Sequence, residues 1–499
     1  MRTLAFSDAA FLYNETLRTP MHIASVQRLR LPEGMHVELF TDALRQQIKS
    51  RLHLVPYLTE RLVETPMQLD HPSFATVREV NLGRHIHHVN ADAPGDQAAL
   101  ESAVARLHAT AMDRERPLWE MVVVGGLADG RAAIYSRVHH CCIDGIAGQE
   151  ATRLLYDDKL QVRGAPAERT LNETQHPAIS IVHAFENFAH FGEERWRAMP
   201  EMYRSSVKVL ETLSQSARQW NGGLNLAPAT RLNRPVGSNR AVAFGEIPLS
   251  ELKAVGKTVK ATLNDVVLAI CGGGLRSLLM RNASLPEESL LAGCPVSLRR
   301  TGDTTLNNQV SMMRVALGTH LANPVARLLY VKEASRHARH LTLDAFGLMP
   351  RTLALPGLPA AARLASFWND WMATGDQALP TPVNVVISNV PGPSEVLCPA
   401  GAEMETHWPV SIPAHGLGVN ITVQSYAGKL FLGITACART LPEPGILRDA
   451  ILAALTELKS ASQPLSASVH PLPLITEEVV KNPDRQAAQG QPRELSDAA

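Results

Sequence analysis

Two histidines stand side by side in the run Tyr135-Ser136-Arg137-Val138-His139-His140-Cys141-Cys142-Ile143-Asp144-Gly145. Histidine is the side chain whose ordinary pKa makes it a base near neutral pH. The run reads as a strand, then a short turn, then a helix start. Alternation along a strand sends His139 and His140 to opposite faces, so one can aim at a substrate while the other packs or orients. Asp144 follows beside Gly145, a residue suited to a tight turn. Two roles stay open for Asp144: holding the histidine directly, as in a triad, or anchoring the loop to an arginine elsewhere. Cys141 and Cys142 flank the histidines, but a nucleophilic thiol needs a base of its own and none is evident. Packing as small apolar groups is the plainer reading.

Other suggestive residues carry less. His85, His87 and His88 form a second cluster, with no cysteine or acid at metal-binding spacing beside them. Gly272-Gly273-Gly274 lacks the lysine and hydroxyl of a phosphate loop and predicts close helix packing instead. The six cysteines include no C-x-x-C pair, so no metal is expected, and free thiols in a reducing compartment are.

The elements that must position these residues follow from periodicity. Helices are predicted over 40–52, 100–112, 148–156, 249–259, 266–279 and 446–458. Strands are predicted over 120–125, 132–139, 241–247, 309–317, 383–387, 418–424 and 429–436. Mixed elements in both halves of a 499-residue chain predict two α/β lobes. The boundaries are 1–175 for the first lobe, 176–235 for a partly helical connector, 236–460 for the second lobe and 461–499 for a disordered tail rich in Pro, Ser, Gln and Ala. Residues 343–372 are dense in Leu, Phe, Trp and Met. They suit a core helix, the wall of an acyl channel, or a surface that enters a lipid interface.

Lys and Arg number 48, as do Asp and Glu, so the net charge is zero. A nucleic-acid partner is not expected from that balance. The amino terminus lacks the apolar core of a signal peptide, and no apolar run is long enough to span a membrane. A cytoplasmic protein is expected, with peripheral contact at the inner membrane or a lipid droplet still open.

The motifs, taken in order, resemble a known family. H-H-x-x-x-D-G is the signature of coenzyme A-dependent acyltransferases of the chloramphenicol acetyltransferase type, including peptide-synthetase condensation domains. Pro117-Leu118-Trp119, Asn264-Asp265-Val266-Val267-Leu268-Ala269, Pro295-Val296-Ser297-Leu298-Arg299 and Ser388-Asn389-Val390-Pro391-Gly392-Pro393 look like blocks of the bacterial wax ester synthase/diacylglycerol acyltransferases. Asp8 with Pro20-Met21-His22, and Asn420-Ile421-Thr422, extend the likeness over about residues 5 to 458. The resemblance implies an α+β fold of two lobes, each a mostly β sheet flanked by helices, with a channel between them. It implies transfer of a long-chain acyl group from acyl-CoA to a fatty alcohol or diacylglycerol, by a monomer or homodimer. His140 would be the general base, His139, Asp144 and Gly145 its motif partners, and Arg299 the partner of Asp144. Asn264 and Asp265 would shape the active centre as well as cap a helix, and Pro117, Leu118 and Trp119 would border the substrate channel. No cofactor is implied beyond the coenzyme A carried by the donor. The alternatives are an enzyme fed by a carrier protein and a non-catalytic lipid-binding protein that kept the fold.

Overall fold

The computed structural model describes residues 2–64, 71–158, 226–297, 310–346, 358–373 and 375–467. The histidine strand, Ala132–His139, lies near the middle of a six-stranded sheet. It pairs antiparallel with His22–Arg30 on one side and with Trp119–Gly125 on the other. Ile86–Asn90 adds parallel to Trp119–Gly125. Ala132 to Tyr135 and Val122 to Val124 are all buried, as expected of strands covered on both faces. The helices Val37–Arg51 and Gln97–His108 supply Phe40, Leu44, Ile48, Leu100 and Val104 to that core.

The second lobe is built on another six-stranded sheet. Its strands Leu291–Ser297, Val385–Val390 and Val419–Tyr426 are parallel neighbours, and Val310–Ala316, Lys429–Cys437 and Arg240–Pro248 pair antiparallel around them. Helix Leu263–Arg281 packs on helix Pro444–Ala467 through Gly273 and Gly274, while Gly272 lies against the backbone of Leu317. A Cβ on Gly273 would meet Ala454, and one on Gly274 would meet Ile451 Cγ1 at 2.5 Å, so close packing explains the glycine run. By length and composition Leu263–Arg281 is apolar enough to cross a membrane. Val266 to Gly274 are instead buried in the second core.

The lobes are not two consecutive pieces of chain. Glu403–Met404 and Trp408–Val410, from the carboxy-terminal half, both pair with His22–Arg30 and complete the first sheet. Trp408 stacks on Phe244 at 5.2 Å, and its indole donates to Gly245 O. Gly433 permits this crossing, since a Cβ there would run into Pro409 O. Other differences from the sequence reading are local, among them helix Pro324–Phe346 and strand Ile86–Asn90, neither of which periodicity suggested. Arg231–Asn233, assigned to the connector, is built into the second lobe, where Asn233 Nδ2 donates to Gly416 O and Thr381 Oγ1, both at 2.9 Å. Helix Pro444–Ala467 continues through residues assigned to the tail, with buried Ser462 Oγ donating back to Leu458 O. Helix Phe6–Asn14 and strand His22–Arg30 were not anticipated at all. Most of the connector, the tail beyond 467, and 347–357 lie outside the described residues.

Candidate active site

The alternation argument separates the two histidines as expected. His139 is fully buried, and His140 is half-buried. The Cys141 N–H donates to His139 Nδ1 at 3.2 Å, which leaves the ring proton on Nε2. That nitrogen faces Glu15 Oε1 at 3.4 Å. Glu15 also accepts from Met21 N at 3.0 Å, and Arg114 Nη2 lies 2.7 Å from its other oxygen. Burial alone would raise the Glu15 pKa, but His139, Arg114 and the Met21 N–H outweigh it and hold the carboxyl at about 2. A buried carboxylate therefore braces His139 from beneath.

His140 is held differently. Its backbone N–H donates to Met21 O at 2.9 Å, and its ring stacks on Phe11 with centroids 4.0 Å apart and planes 4° apart. Phe11 and Glu15 both lie at the amino-terminal helix Phe6–Asn14 and its end. One short segment thus fixes both histidines. Sequence reasoning passed over these two residues; a lone acid and a lone aromatic carry no spacing signal.

Asp144 is the N-cap of helix Gly145–Leu155 and accepts from Ala147 N at 2.9 Å. Arg299, its expected partner, lies outside the described residues. Gly145 does not need a left-handed backbone, contrary to the tight-turn expectation. What it allows is close approach, because a Cβ there would stand 3.1 Å from Val390 Cγ2 of the second lobe. Gln149, on the same helix, bonds Gln424 across the seam at 2.9 Å. Asn389, beside Val390, donates to Asn264 Oδ1 at 3.4 Å. The structure therefore brings H-H-x-x-x-D-G, N-D-V-V-L-A and S-N-V-P-G-P together at one seam.

Other expectations are corrected or refined. Thr262, not Asn264, caps helix Leu263–Arg281, and Asp265 closes the capping box on Thr262. Leu118 and Trp119 are buried in the first core, with the Trp119 indole donating to Leu58 O. Leu118 O accepts from His139 N at 3.0 Å, so this part of the motif backs the histidine strand where a channel wall was expected. Pro117 lines a cavity of about 400 Å³ with Arg61, Thr76, Arg84 and Arg116; His139 and His140 are not in its wall. Burial raises the Cys141 thiol pKa well above its ordinary value, which argues against a thiolate nucleophile. Among the described residues no three His, Cys, Asp or Glu side chains converge as a metal site. His85 is spent on Trp119 O at 2.8 Å, while His87 and His88 face Glu120 and Glu38.

A half-buried imidazole at a strand end, backed by a buried partner and followed by a helix that meets a second sheet through Gly145 and Gln149, is the arrangement that the resemblance to chloramphenicol acetyltransferase-type enzymes led us to expect. Comparisons narrow the class. Residues 4–267 match the wax ester synthase/diacylglycerol acyltransferase catalytic domain, and residues 306–459 match the C-terminal domain of the same family. A Mycobacterium tuberculosis relative, provisionally named a diacylglycerol O-acyltransferase, is 33% identical over 91% of this chain and 98% of its own. One from Mycobacterium bovis, named likewise, is 32% identical over 92% and 91%. The solved wax ester synthase/diacylglycerol acyltransferase from Marinobacter aquaeolei VT8 superposes with a TM-score of 0.65 at 27% identity, covering 92% of this chain and 99% of that one. A starter condensation domain of rhizomide synthetase shares the fold, with a TM-score of 0.54 at 16% identity over 94% and 97%. The chain belongs to the wax ester synthase/diacylglycerol acyltransferase family and is an O-acyltransferase.

Proposed function

We propose that this O-acyltransferase moves a long-chain acyl group from acyl-CoA to a fatty alcohol or diacylglycerol, with His140 as the general base. The observation that carries the reading is the contrast between the two histidines. His139 is buried and committed to Glu15 and Cys141, whereas His140 is half-buried at the strand end, just before the helix that meets the second lobe, with its ring oriented by Phe11. Of the two, His140 is the one whose partial exposure supports a role as the base.

The steps balance around that one ring. The imidazole takes the proton of the acceptor hydroxyl as its oxygen attacks the thioester carbonyl. The tetrahedral intermediate collapses, the C–S bond breaks, and the coenzyme A thiolate leaves. The imidazolium then returns the proton to sulfur. No acyl-enzyme is needed, in keeping with the buried Cys141 thiol. A hydrophobic acceptor and a long acyl chain imply contact with a lipid surface. The enzyme would then work as a peripheral protein.

The test is purified protein with palmitoyl-CoA and either hexadecanol or dipalmitoylglycerol, with the ester products separated and measured. Palmitoyl carrier protein serves as the competing donor. His140→Ala should lower transfer from palmitoyl-CoA about 10²–10⁴-fold, the usual contribution of one positioned base. An unchanged rate in that variant would remove His140 from the mechanism, and preference for the carrier-bound donor would replace acyl-CoA.

A further inference from the structure

Helix Leu358–Met372 has two sharply different faces. Its inner face is clamped to the segment just after helix Phe6–Asn14. Ser366 Oγ donates to Asn14 Oδ1 at 3.1 Å, and Thr16 Oγ1 donates to Asp370 Oδ1 at 3.1 Å. His415 Nε2 meets the same carboxylate at 2.9 Å. Arg18 Nη1 donates to Asp370 O and Ala373 O and so caps the helix end, and Arg363 pairs with Glu64 at 2.6 Å. Among the described residues the outer face has no such partners. Leu364, Phe367, Trp368, Trp371 and Met372 are 59–68% exposed, and their spacing puts them on one stripe. The two indoles lie 5.1 Å apart.

Five large side chains of that size, mostly uncovered, present on the order of 600 Å² of apolar surface. That is at the upper end of what a soluble surface shows without a partner. We propose that this stripe docks the enzyme on a lipid surface and delivers the acceptor lipid to the His140 seam. The proposal rests on the acyl-transfer reading above and adds where that enzyme meets its insoluble substrate.

Charge and position both favour lipid as the occupant. The charged groups at the stripe's margin, Arg363 and Asp370, are paired inward with Glu64, Thr16 and His415, so the stripe can leave water without stranding an ion. Exposed tryptophans suit the boundary between headgroups and acyl chains, where the ring is apolar and the indole N–H can stay wet. The clamp itself grips Asn14, Thr16 and Arg18, on either side of Glu15, which braces His139, and close after Phe11, which orients His140. The stripe therefore sits on the same short segment that holds the reacting histidine. With a neutral stripe, adhesion should need no anionic lipid and should change little with salt.

The experiment uses the full chain and the double variant Trp368→Ser/Trp371→Ser, with thermal melts confirming that both fold. Binding is read by co-sedimentation with phosphatidylcholine vesicles carrying dioleoylglycerol. Transfer from palmitoyl-CoA is read on the vesicle dioleoylglycerol and, separately, on dissolved 1-hexanol. The expected result is at least about a tenfold loss of vesicle binding and of vesicle transfer, with transfer to 1-hexanol within twofold of the unsubstituted enzyme. Vesicle binding unchanged in the variant overturns the proposal. So does conversion of a dimer to a monomer with vesicle binding intact, which would assign the stripe to a second copy of the chain. Vesicle binding by an enzyme that transfers to neither acceptor would instead defeat the acyl-transfer reading.

Discussion

Glu15 makes three contacts beneath the active centre, and one of them is with His139 itself. It receives the His139 ring, the Met21 N–H and the Arg114 guanidinium in one buried place. Substituting Gln keeps the shape but removes the charge that Arg114 and His139 both use. Glu15→Gln should lower kcat on the order of 10–100-fold with KM nearly unchanged, and Glu15→Asp should recover part of the loss. Steady-state kinetics across pH would check this, because loss of that charge should also move the acidic limb of the kcat profile. A general loss of stability with an unmoved profile would reduce Glu15 to packing. At this scale the sequence was informative where chemistry is local. His139 and His140 announce themselves because alternation acts over a few residues, whereas the N-cap role of Asp144 was not among the two roles its spacing suggested. Glu15 and Phe11 could not, since the histidines they hold are more than a hundred residues away and only folding brings them together.

The strongest periodic segments were readable to within a few residues. Ala132–His139 and Lys429–Cys437 appear almost as alternation and β-branching predict, and Leu249–Thr258 as helical spacing predicts. Glu403–Met404 and Trp408–Val410 were invisible for a physical reason. They are two and three residues long, and Pro409 within such a run reads as a turn. The glycine run was legible as a packing device, and its consequence can be tested. Gly274→Ala would place a methyl group 2.9 Å from Ile451 N and 3.0 Å from Ile451 Cα, which backbone cannot easily vacate. The expected cost is about 1–3 kcal/mol of stability, larger than any gain in helix propensity. A lowered denaturant midpoint at constant slope would show it, and an unchanged midpoint would mean that the two helices separate freely.

Composition described the whole molecule correctly as electrically neutral, but it could not reveal which titratable groups end up without water. His22, His108 and His407 are buried. Burial is the main reason that His108 and His407 fall to about 3, and that His22 lies well below the ordinary 6.5. In the unfolded chain they would titrate near 6.5, so between there and about 3 the unfolded state binds more protons. Stability should therefore be full above pH 6.5 and fall as the pH drops, by about 1.4 kcal/mol per pH unit for each such histidine. Melting temperatures taken from about pH 7.5 to pH 5 should decline steadily below 6.5, and a flat profile would contradict this burial. The crossing strands set a second condition on the whole molecule, one that belongs to its birth. As the chain leaves the ribosome, His22–Arg30 emerges early with one edge unpaired, and the strands that cover it end at Val410. For most of synthesis the nascent first lobe carries an open sheet edge, the feature that invites mispairing between neighbouring chains. Translation that stalls before that point would release an aggregation-prone fragment, not a spare lobe.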